Sequence, residues 1–238
     1  MRITVLTLFP EMFPGVLESS IVAQARKKGA VEFALVNIRD FALDKHQVAD
    51  DAPYGGGPGM IMKPEPIFRA VRSLAEGGSR PKVVLLSPRG RRYDQRAARQ
   101  LAREAHIALL CGHYKDIDER VRAIVDDDIS VGDYILSGGE VAAMALIDSV
   151  VRLLPGAISD PESADRDSFE NGLLDHPHYT RPETFEGMTV PEVLRSGNHA
   201  QIARWRRRQA LRITRQQRPD LLQTAELSGQ DLELLDEE

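Results

Sequence analysis

The sequence lacks the features that would tie it to an oxidising compartment or to a membrane. Its one cysteine, Cys111, cannot form an internal disulfide, so the fold does not depend on oxidation. Cys111 ends an apolar segment, a position that suits a small buried residue better than a nucleophile. The longest helical apolar run, Val141–Ile147, is far shorter than a membrane span. The apolar segment Ile3–Phe9 is followed at once by Pro10 and Glu11, with no small-residue cleavage pattern. We therefore expect a cytoplasmic protein that has no membrane partner.

Acids are absent from one stretch near the end of the chain, and bases are absent from the next. Residues 195–218 contain eight arginines and no acid, whereas residues 220–238 contain seven acids and no base, so the net charge of −5 is a poor guide to partners. Drawn as a helix, residues 198–218 place Ile202, Trp205, Ala210 and Ile213 on one side and Arg204, Arg207, Arg208, Arg215 and Arg218 on the other. A solvated surface helix normally mixes charge signs, so this arginine face is better suited to the phosphates of a nucleic acid. The acidic end beyond it can be a plain solvated tail.

Apolar segments alternate with helical patterns along the first two thirds of the chain. The predicted strands are Arg2–Phe9, Val31–Ile38, Lys82–Leu86, Ile107–Cys111 and Asp128–Ser130. The first predicted helix ends near Lys28. Four further helices are predicted over residues 64–76, 94–104, 117–125 and 141–154. Six arginines lie in the helix predicted over residues 94–104 or just before it: Arg89, Arg91, Arg92, Arg96, Arg99 and Arg103. A strand, a helix and a strand at this spacing form a βαβ unit, so the predicted fold class is α/β with a parallel sheet.

Three of these strands end in loops of small residues, at Ser87–Gly90, Gly112–Tyr114 and Val131–Gly139. In open α/β sheets, ligands bind at the edge formed by the carboxyl ends of the strands. Glycines leave the backbone bare there, so a flat ligand can lie against main-chain N–H and C=O groups. Each loop alone is typical of an ordinary strand-to-helix turn, but the three together favour a nucleotide-like ligand.

Two polar segments carry no regular pattern. Residues 39–60, which are rich in Gly and Pro, are either a lid or RNA-facing loop or a mobile linker. Residues 157–188 form a polar linker that carries the acids Asp160, Glu162, Asp165, Asp167 and Glu170 ahead of Asp175. His176 and His178 are a poor metal signal, because Pro177 lies between them and further ligands are lacking; we predict a structured loop and no protein metal site. Thr189 is predicted to cap one helix and Asn198 the next.

Several longer motifs recur together in one known family. They are Leu8–Phe13, Pro53–Met60, Ser87-Pro88 with Gly90, Cys111-Gly112 with Tyr114, Ile117–Arg120, Gly132–Glu140, Leu173–Pro182 and Gly197–His199. Through them the chain resembles the bacterial tRNA (guanine-N1)-methyltransferases of the SPOUT superfamily, from the first strand to about Leu222. Such motifs in order are far more specific than any single glycine loop.

The resemblance implies a Rossmann-like domain with a deep trefoil knot, an exception to the rule that chains are unknotted. The knot would be formed by residues 86–90, 111–114 and 131–139. The implied division is a knotted S-adenosylmethionine-binding methyltransferase domain over residues 1–156, an interdomain linker over 157–188, and a small all-α tRNA-binding domain over 189–238. The family works as a homodimer, whose site combines the knot of one subunit with the linker and C-terminal domain of the other.

The resemblance also implies which residues hold the methyl donor and act on the substrate. Backbone groups of ten residues would bind S-adenosylmethionine: Leu86, Pro88, Gly112, Tyr114, Val131, Gly132, Tyr134, Leu136, Gly138 and Gly139. Asp167 would be the base, Arg152 the charge stabiliser and His178 a substrate-side residue. Spacing alone does not distinguish Asp167 from the other linker acids, and Arg152 could equally pair with Asp148 four residues earlier.

The implied reaction is methyl transfer from S-adenosylmethionine to N1 of the guanosine just 3′ of the anticodon in tRNA. Guanine N1 carries a proton, so the reaction needs a base as well as a cation near O6. Arg204, Arg207 and Arg208, on the arginine face, would contact the tRNA backbone. The family also implies a divalent ion, Mg²⁺, although Lys115-Asp116 stands where many relatives have Glu-Gly. The alternatives are a SPOUT methyltransferase for another RNA and a catalytically silent RNA-binding dimer.

Overall fold

The computed structural model of the chain describes residues 1–75, 78–158 and 166–236. It divides into two compact units, Met1–Ser159 and Asp160–Glu238. The division into a domain, a linker and a C-terminal domain at residues 156 and 188 stays a prediction. None of the described helices is long and apolar enough to cross a membrane.

Some predicted features fall outside the described residues. They are the end of the helix predicted over residues 64–76, at Glu76 and Gly77, and three of the linker acids, Asp160, Glu162 and Asp165.

A parallel sheet forms the centre of the first unit. The strands of this unit are β1 (Arg2–Thr7), β2 (Glu32–Asn37), β3 (Asp50–Asp51), β4 (Ile61–Met62), β5 (Lys82–Arg92), β6 (His106–Cys111), β7 (Asp116–Ile117) and β8 (Asp127–Ser130). Five of them form the sheet in the order β2-β1-β6-β5-β8, and all four pairings are parallel. Leu86 is in register with Cys111 on one side and Ile129 on the other, so the middle of β5 lies beside the carboxyl ends of β6 and β8. The prediction of a parallel α/β sheet is confirmed.

Helices cover both faces of this sheet. They are α1 (Pro14–Leu17), α2 (Ser20–Lys27), α3 (Pro64–Ser73), α4 (Gln95–Leu101) and α5 (Glu140–Val151), with 3-10 turns at Pro10–Met12, Ile38–Phe41 and Glu119–Ile124. Successive side chains of a strand point to opposite faces. Val5 of β1 therefore packs in the core with Ile147 of α5, whereas Leu6 packs in the opposite core with Ile67 of α3. Strands buried on both faces explain the nearly continuous apolar runs in the sequence.

The prediction of one continuous helix ending near Lys28 is wrong, because two short helices, α1 and α2, stand in its place. The chain is broken at Ser19, whose extended backbone (φ −121°, ψ 155°) separates α1 from α2. Gly29 ends α2 with φ +74°, as its position in the sequence indicates. The helix predicted over residues 117–125 is instead β7 followed by the 3-10 turn Glu119–Ile124, in which the Asp118 side chain accepts a hydrogen bond from the Arg120 amide.

The basic helix is also shorter than predicted. Arg89, Arg91 and Arg92 belong to β5, which resumes its pairing with β8 after a register shift between Leu86 and Arg91. Acids from elsewhere in the chain reach this segment. Arg89 bonds to Glu119 at 2.8 Å and Arg91 to Asp127 at 2.7 Å, so the strand part of the arginine run is partly neutralised.

The second unit contains a short hairpin and a group of helices. The hairpin pairs β9 (Thr184–Phe185) with β10 (Met188–Thr189), and a 3-10 turn covers Glu192–Arg195. The helices are α6 (His199–Gln217), α7 (Pro219–Leu222) and α8 (Gly229–Asp236). Asn198 caps α6 by accepting a hydrogen bond from the Gln201 amide at 3.2 Å, as predicted. Thr189 does not cap the 3-10 turn that follows it at Glu192–Arg195. Thr189 lies in β10, and the N-cap position of that turn is occupied by Pro191.

The acidic end of the chain is not a plain solvated tail. Helix α8 packs on α6, and Leu234 joins Leu173 and Leu211 in a small core. The residues of α6 that become buried are Ala210, Leu211 and Thr214 rather than Ile202 and Ile213. The buried stripe is shifted because the position of α8, and not the helical period of α6 alone, decides which side is covered.

Candidate ligand-binding cleft

A cleft lies where the middle of β5, at Leu86–Pro88, meets the carboxyl ends of β6 and β8. All ten residues that the sequence predicted to hold a ligand line it: Leu86, Pro88, Gly112, Tyr114, Val131, Gly132, Tyr134, Leu136, Gly138 and Gly139. The structure therefore brings the three predicted loops together in one place. What they bind stays a prediction at this point.

The wall over residues 131–139 combines bare backbone at Gly132, Gly138 and Gly139 with the exposed side chains of Tyr134 and Ile135. Gly132 has φ +150°, which L side chains rarely adopt, and its amide and carbonyl both bond to the Ser130 hydroxyl, at 3.3 and 3.1 Å. This wall is joined to the next loop, because the Gly139 amide donates to the Gly112 carbonyl at 2.7 Å. His113 and Gly138 form a further backbone bridge. The 131–139 wall is thus tied to the end of β6 by backbone contacts, and its turn at Gly132 is fixed by the Ser130 hydroxyl.

Two glycines are required at this junction by space alone. A Cβ on Gly139 would lie 2.8 Å from the Cys111 Cα and 3.1 Å from the Gly112 nitrogen. A Cβ on Gly138 would overlap the Glu140 carboxylate and the His113 imidazole. The backbone of residues 138–139 is therefore packed directly on the end of β6.

A buried carboxylate supports this junction, and sequence reasoning missed it. Glu140 is 2% exposed, stands at the start of α5 and accepts a hydrogen bond from the Thr7 hydroxyl at 2.7 Å. A negative charge at a helix N-terminus is stabilised by the amides there. His113 Nδ1 lies 3.5 Å from the other Glu140 oxygen and has no hydrogen-bond partner. The signal available in the sequence was an acid placed directly between a glycine pair and an apolar helix.

The cleft offers no reactive nucleophile from Cys111. This residue is fully buried, and burial raises the pKa of its thiol well above the ordinary value. It acts as a small hydrophobic residue, as the sequence indicated.

Tyr114 is exposed at the rim of the cleft with φ +60°, and its hydroxyl accepts a hydrogen bond from the Arg39 guanidinium at 3.3 Å. The start of the 39–60 segment therefore borders the cleft. The departure from the family pattern, Lys115-Asp116, lies in the lining as well.

The predicted catalytic and substrate-side residues lie outside this lining. Arg152 is the C-terminal cap of α5, and its amide bonds to the Asp148 carbonyl at 3.2 Å. Asp167 and His178 belong to the second unit, where the Asp167 carbonyl accepts a bond from the Glu170 amide at 3.3 Å. Their roles stay predictions.

One residue of the arginine face of α6 forms an ion pair with an acid from another helix, α8. Arg207 forms a two-point ion pair with the buried carboxylate of Asp231 in α8, at 2.6 and 2.9 Å. The hydrogen bond from Arg207 holds the pKa of Asp231 well below its usual range. Arg204 and Arg208 also lie in α6, and the role of all three toward a nucleic acid stays a prediction.

The loop around the two histidines differs from its prediction in one respect. Asp175 lies within hydrogen-bond distance of His178, at 2.9 Å between Oδ2 and Nε2. Its Oδ1 is 3.7 Å from His176 Nε2. The assumption that further ligands are lacking is therefore wrong, because Asp175 faces both imidazoles.

Comparison with known proteins identifies the family of the chain. A family model described as "tRNA (Guanine-1)-methyltransferase TrmD" matches residues 1–224. The chain belongs to this tRNA (guanine-1)-methyltransferase family.

Relatives in the tRNA (guanine-1)-methyltransferase family match along nearly their whole length. A tRNA (guanine-N(1)-)-methyltransferase from Moorella thermoacetica is 56% identical, covering 100% of this chain and 96% of the relative. One from Anoxybacillus flavithermus is 57% identical, covering 97% and 95%. The crystal structure of tRNA (m1G37) methyltransferase from Aquifex aeolicus superposes with a TM-score of 0.77 at 41% identity, over 94% of this chain and 95% of that one.

Proposed function

We propose that this protein transfers a methyl group from S-adenosylmethionine to N1 of the guanosine at position 37 of tRNA, just 3′ of the anticodon. The observation that carries the proposal is the cleft between the middle of β5 and the ends of β6 and β8, lined by all ten residues expected to bind the methyl donor, in a chain of the tRNA (guanine-1)-methyltransferase family.

The cleft suits an adenosine-like ligand for a physical reason. The glycines at 112, 132, 138 and 139 bring bare backbone to its surface, and backbone N–H and C=O groups can pair with the edge of a purine. The apolar side chains of Leu86, Ile129 and Leu136 supply the flat contact that a base requires. When bound, S-adenosylmethionine supplies the methyl group from its sulfonium centre.

The residues of this chain would then handle one proton and one developing charge. The Asp167 carboxylate accepts the proton of guanine N1 as the new N–CH₃ bond forms, because N1 has no free lone pair while it is protonated. Arg152 stabilises the negative charge that gathers on O6 as the proton leaves. His178 stands on the substrate side. A positioned base contributes roughly 10²–10⁴-fold to rate.

We place tRNA on the helical part of the second unit. Arg204 and Arg208 of α6 would contact phosphates, and Arg207 would do so only by sharing or leaving its pair with Asp231. The target base is expected to be turned out of its stack to reach the donor, with the 39–60 segment and the linker around it.

The assembly belongs to the proposal as well. We propose a homodimer in the cytoplasm, in which the knot region of one subunit meets the linker and helices of the other. The close approach of Gly139 to Cys111, and of Gly90 to the backbone of Asp128 and Ile129, supports a trefoil knot at residues 86–90, 111–114 and 131–139. Light scattering after size-exclusion chromatography should give twice the chain mass of 26.5 kDa.

Mg²⁺ is part of the proposal as a requirement for activity. Within the described residues, one group of three His, Cys, Asp or Glu side chains brings its ligand atoms together, namely Asp175, His176 and His178. Two imidazole nitrogens and one carboxylate do not fit Mg²⁺, which prefers oxygen ligands in octahedral geometry. We therefore assign the ion no step; loss of activity in a chelator, restored by Mg²⁺, would support the requirement.

The deciding experiment is a methyl-transfer assay with labelled S-adenosylmethionine and two tRNA transcripts that carry guanosine or adenosine at position 37. We expect product with the guanosine transcript alone. Asp167→Asn keeps the size of the side chain but removes the base, so the rate should fall about 100-fold or more. Glu170→Gln in the same segment is the matched control and should keep most of the activity.

Binding of S-adenosylmethionine by Asp167→Asn, measured by calorimetry, should remain at the wild-type value. Equal labelling of both transcripts would defeat the target base. Binding of the donor without transfer to any RNA would favour a silent RNA-binding dimer instead, and transfer to a different RNA would favour another member of the SPOUT superfamily.

A further inference from the structure

The group Asp175, His176 and His178 in the second unit has the composition of a transition-metal site. Each residue offers one ligand atom, and these atoms all lie within 4.8 Å of one another. Ligands held at about 2.1 Å from a tetrahedral ion are about 3.4 Å apart. Asp175 Oδ2 lies 2.9 Å from His178 Nε2, and Asp175 Oδ1 lies 3.7 Å from His176 Nε2, so the two oxygens of one carboxylate face the two imidazoles at distances close to that value.

The inner imidazole is already oriented as a metal ligand. His176 Nδ1 lies 3.1 Å from the Pro177 carbonyl, which can only accept a hydrogen bond, so Nδ1 carries the proton. Nε2 then carries the lone pair, and it is the nitrogen that faces Asp175. A backbone carbonyl that fixes the other nitrogen is the usual outer support of a metal-binding histidine.

The carboxylate is fixed by its own surroundings. The Asp175 amide donates to the Ser168 hydroxyl at 2.9 Å, and Oδ1 accepts from the His176 amide at 2.7 Å. The chain just before it is anchored on α6, because the Leu174 amide donates to the buried Thr214 hydroxyl at 2.9 Å. His178, whose side chain is 71% exposed, donates from Nε2 to Asp175 Oδ2, and this hydrogen bond would be replaced by a bond to the ion.

We propose that Asp175, His176 and His178 bind a late first-row divalent ion such as Zn²⁺, Co²⁺ or Ni²⁺, with the remaining coordination positions open to water. The donor set decides the class of ion. Imidazole nitrogen favours these ions, and Mg²⁺ discriminates against it. The site is separate from the Mg²⁺ requirement in the proposed function and does not depend on methyl transfer.

The chain provides its own probe for this site. Trp205 is the single tryptophan, and its ring centroid is 6.4 Å from that of His176. Paramagnetic Co²⁺ bound beside His176 should quench the indole fluorescence, whereas Zn²⁺ should not. Titrating untagged full-length protein with Co²⁺, in the absence of tRNA and S-adenosylmethionine, should give saturable quenching with one ion per chain, which Zn²⁺ reverses.

Substitutions assign the effect to the three side chains. His178→Ala and Asp175→Asn should each weaken Co²⁺ at least tenfold. His46→Ala, a change of an exposed histidine in the other unit, should leave the titration unaltered. The proposal is overturned if quenching is linear and identical in wild type and His178→Ala, or if Mg²⁺ displaces Co²⁺ at equal concentration. Since no RNA or methyl donor is present, either result is independent of the proposed function.

Discussion

Replacing Gly139 by alanine tests whether the cleft is shaped by direct contact between two stretches of backbone. Gly139 has φ −76° and ψ −7°, which alanine adopts freely, so the change adds no backbone strain. The new Cβ would lie 2.8 Å from the Cys111 Cα, where ordinary contacts begin at 3.4 Å. The end of β6 and the start of α5 must therefore separate by about 0.6 Å. Overpacking of this kind typically costs about 1–3 kcal/mol.

The cost of Gly139→Ala should appear in both folding and binding. For a domain of this size, each kcal/mol lowers the melting temperature by about 2–4 °C. Because Gly112 and Gly139 both line the cleft, affinity for S-adenosylmethionine should fall at least tenfold in calorimetry. Gly15→Ala is the matched control, since a Cβ there meets nothing within 4 Å. If Gly139→Ala melted and bound the donor as Gly15→Ala does, the contact argument would be refuted.

Two further predictions concern ionisable groups. The pKa of Asp231 is lowered by its hydrogen bond from Arg207, so the pair stabilises the fold fully above the carboxyl's unfolded pKa, near 4, and this contribution is lost progressively as the pH falls from there through the lowered pKa of the folded protein. In urea unfolding of the full chain, Asp231→Asn should cost about 1.5–3 kcal/mol at pH 7 and clearly less at pH 2.5; an equal cost at both pH values would contradict the pairing. Burial raises the pKa of the Cys111 thiol, so iodoacetamide should modify the native protein at least about 100-fold more slowly than the unfolded protein, as followed by intact mass. Equal rates would show that the thiol is accessible.

The sequence was informative where one local pattern determines the outcome. The apolar runs ending at Leu86 and Cys111 could only be strands buried on both faces, and their small-residue ends identified the lining of the cleft. Asn198 and Gly29 marked helix ends because capping and a positive φ depend on a single residue. The family resemblance then provided roles for Asp167 and Arg152 that no local pattern contains.

The sequence was uninformative where distant residues determine the outcome. No helical period shows that Asp231 reaches Arg207, because the pair is separated by 24 positions and depends on how α8 folds back. The same holds for Glu140, whose partner Thr7 is 133 positions away. Asp175 was overlooked for a different reason. It directly precedes His176, and the sequence does not show that its carboxylate faces both imidazoles, because that arrangement depends on how an irregular segment folds.

The bare main chain at Gly132, Gly138 and Gly139 of the 131–139 wall has a consequence for any competitor of the methyl donor. A compound that pairs with peptide N–H and C=O groups contacts atoms that every amino acid shares. Most substitutions along this wall would therefore leave those atoms in place, and substitutions at Gly138 or Gly139 would push apart the loops that the donor itself requires. Escape from such an inhibitor by single mutation should thus be rare, and it should usually come with a slower enzyme.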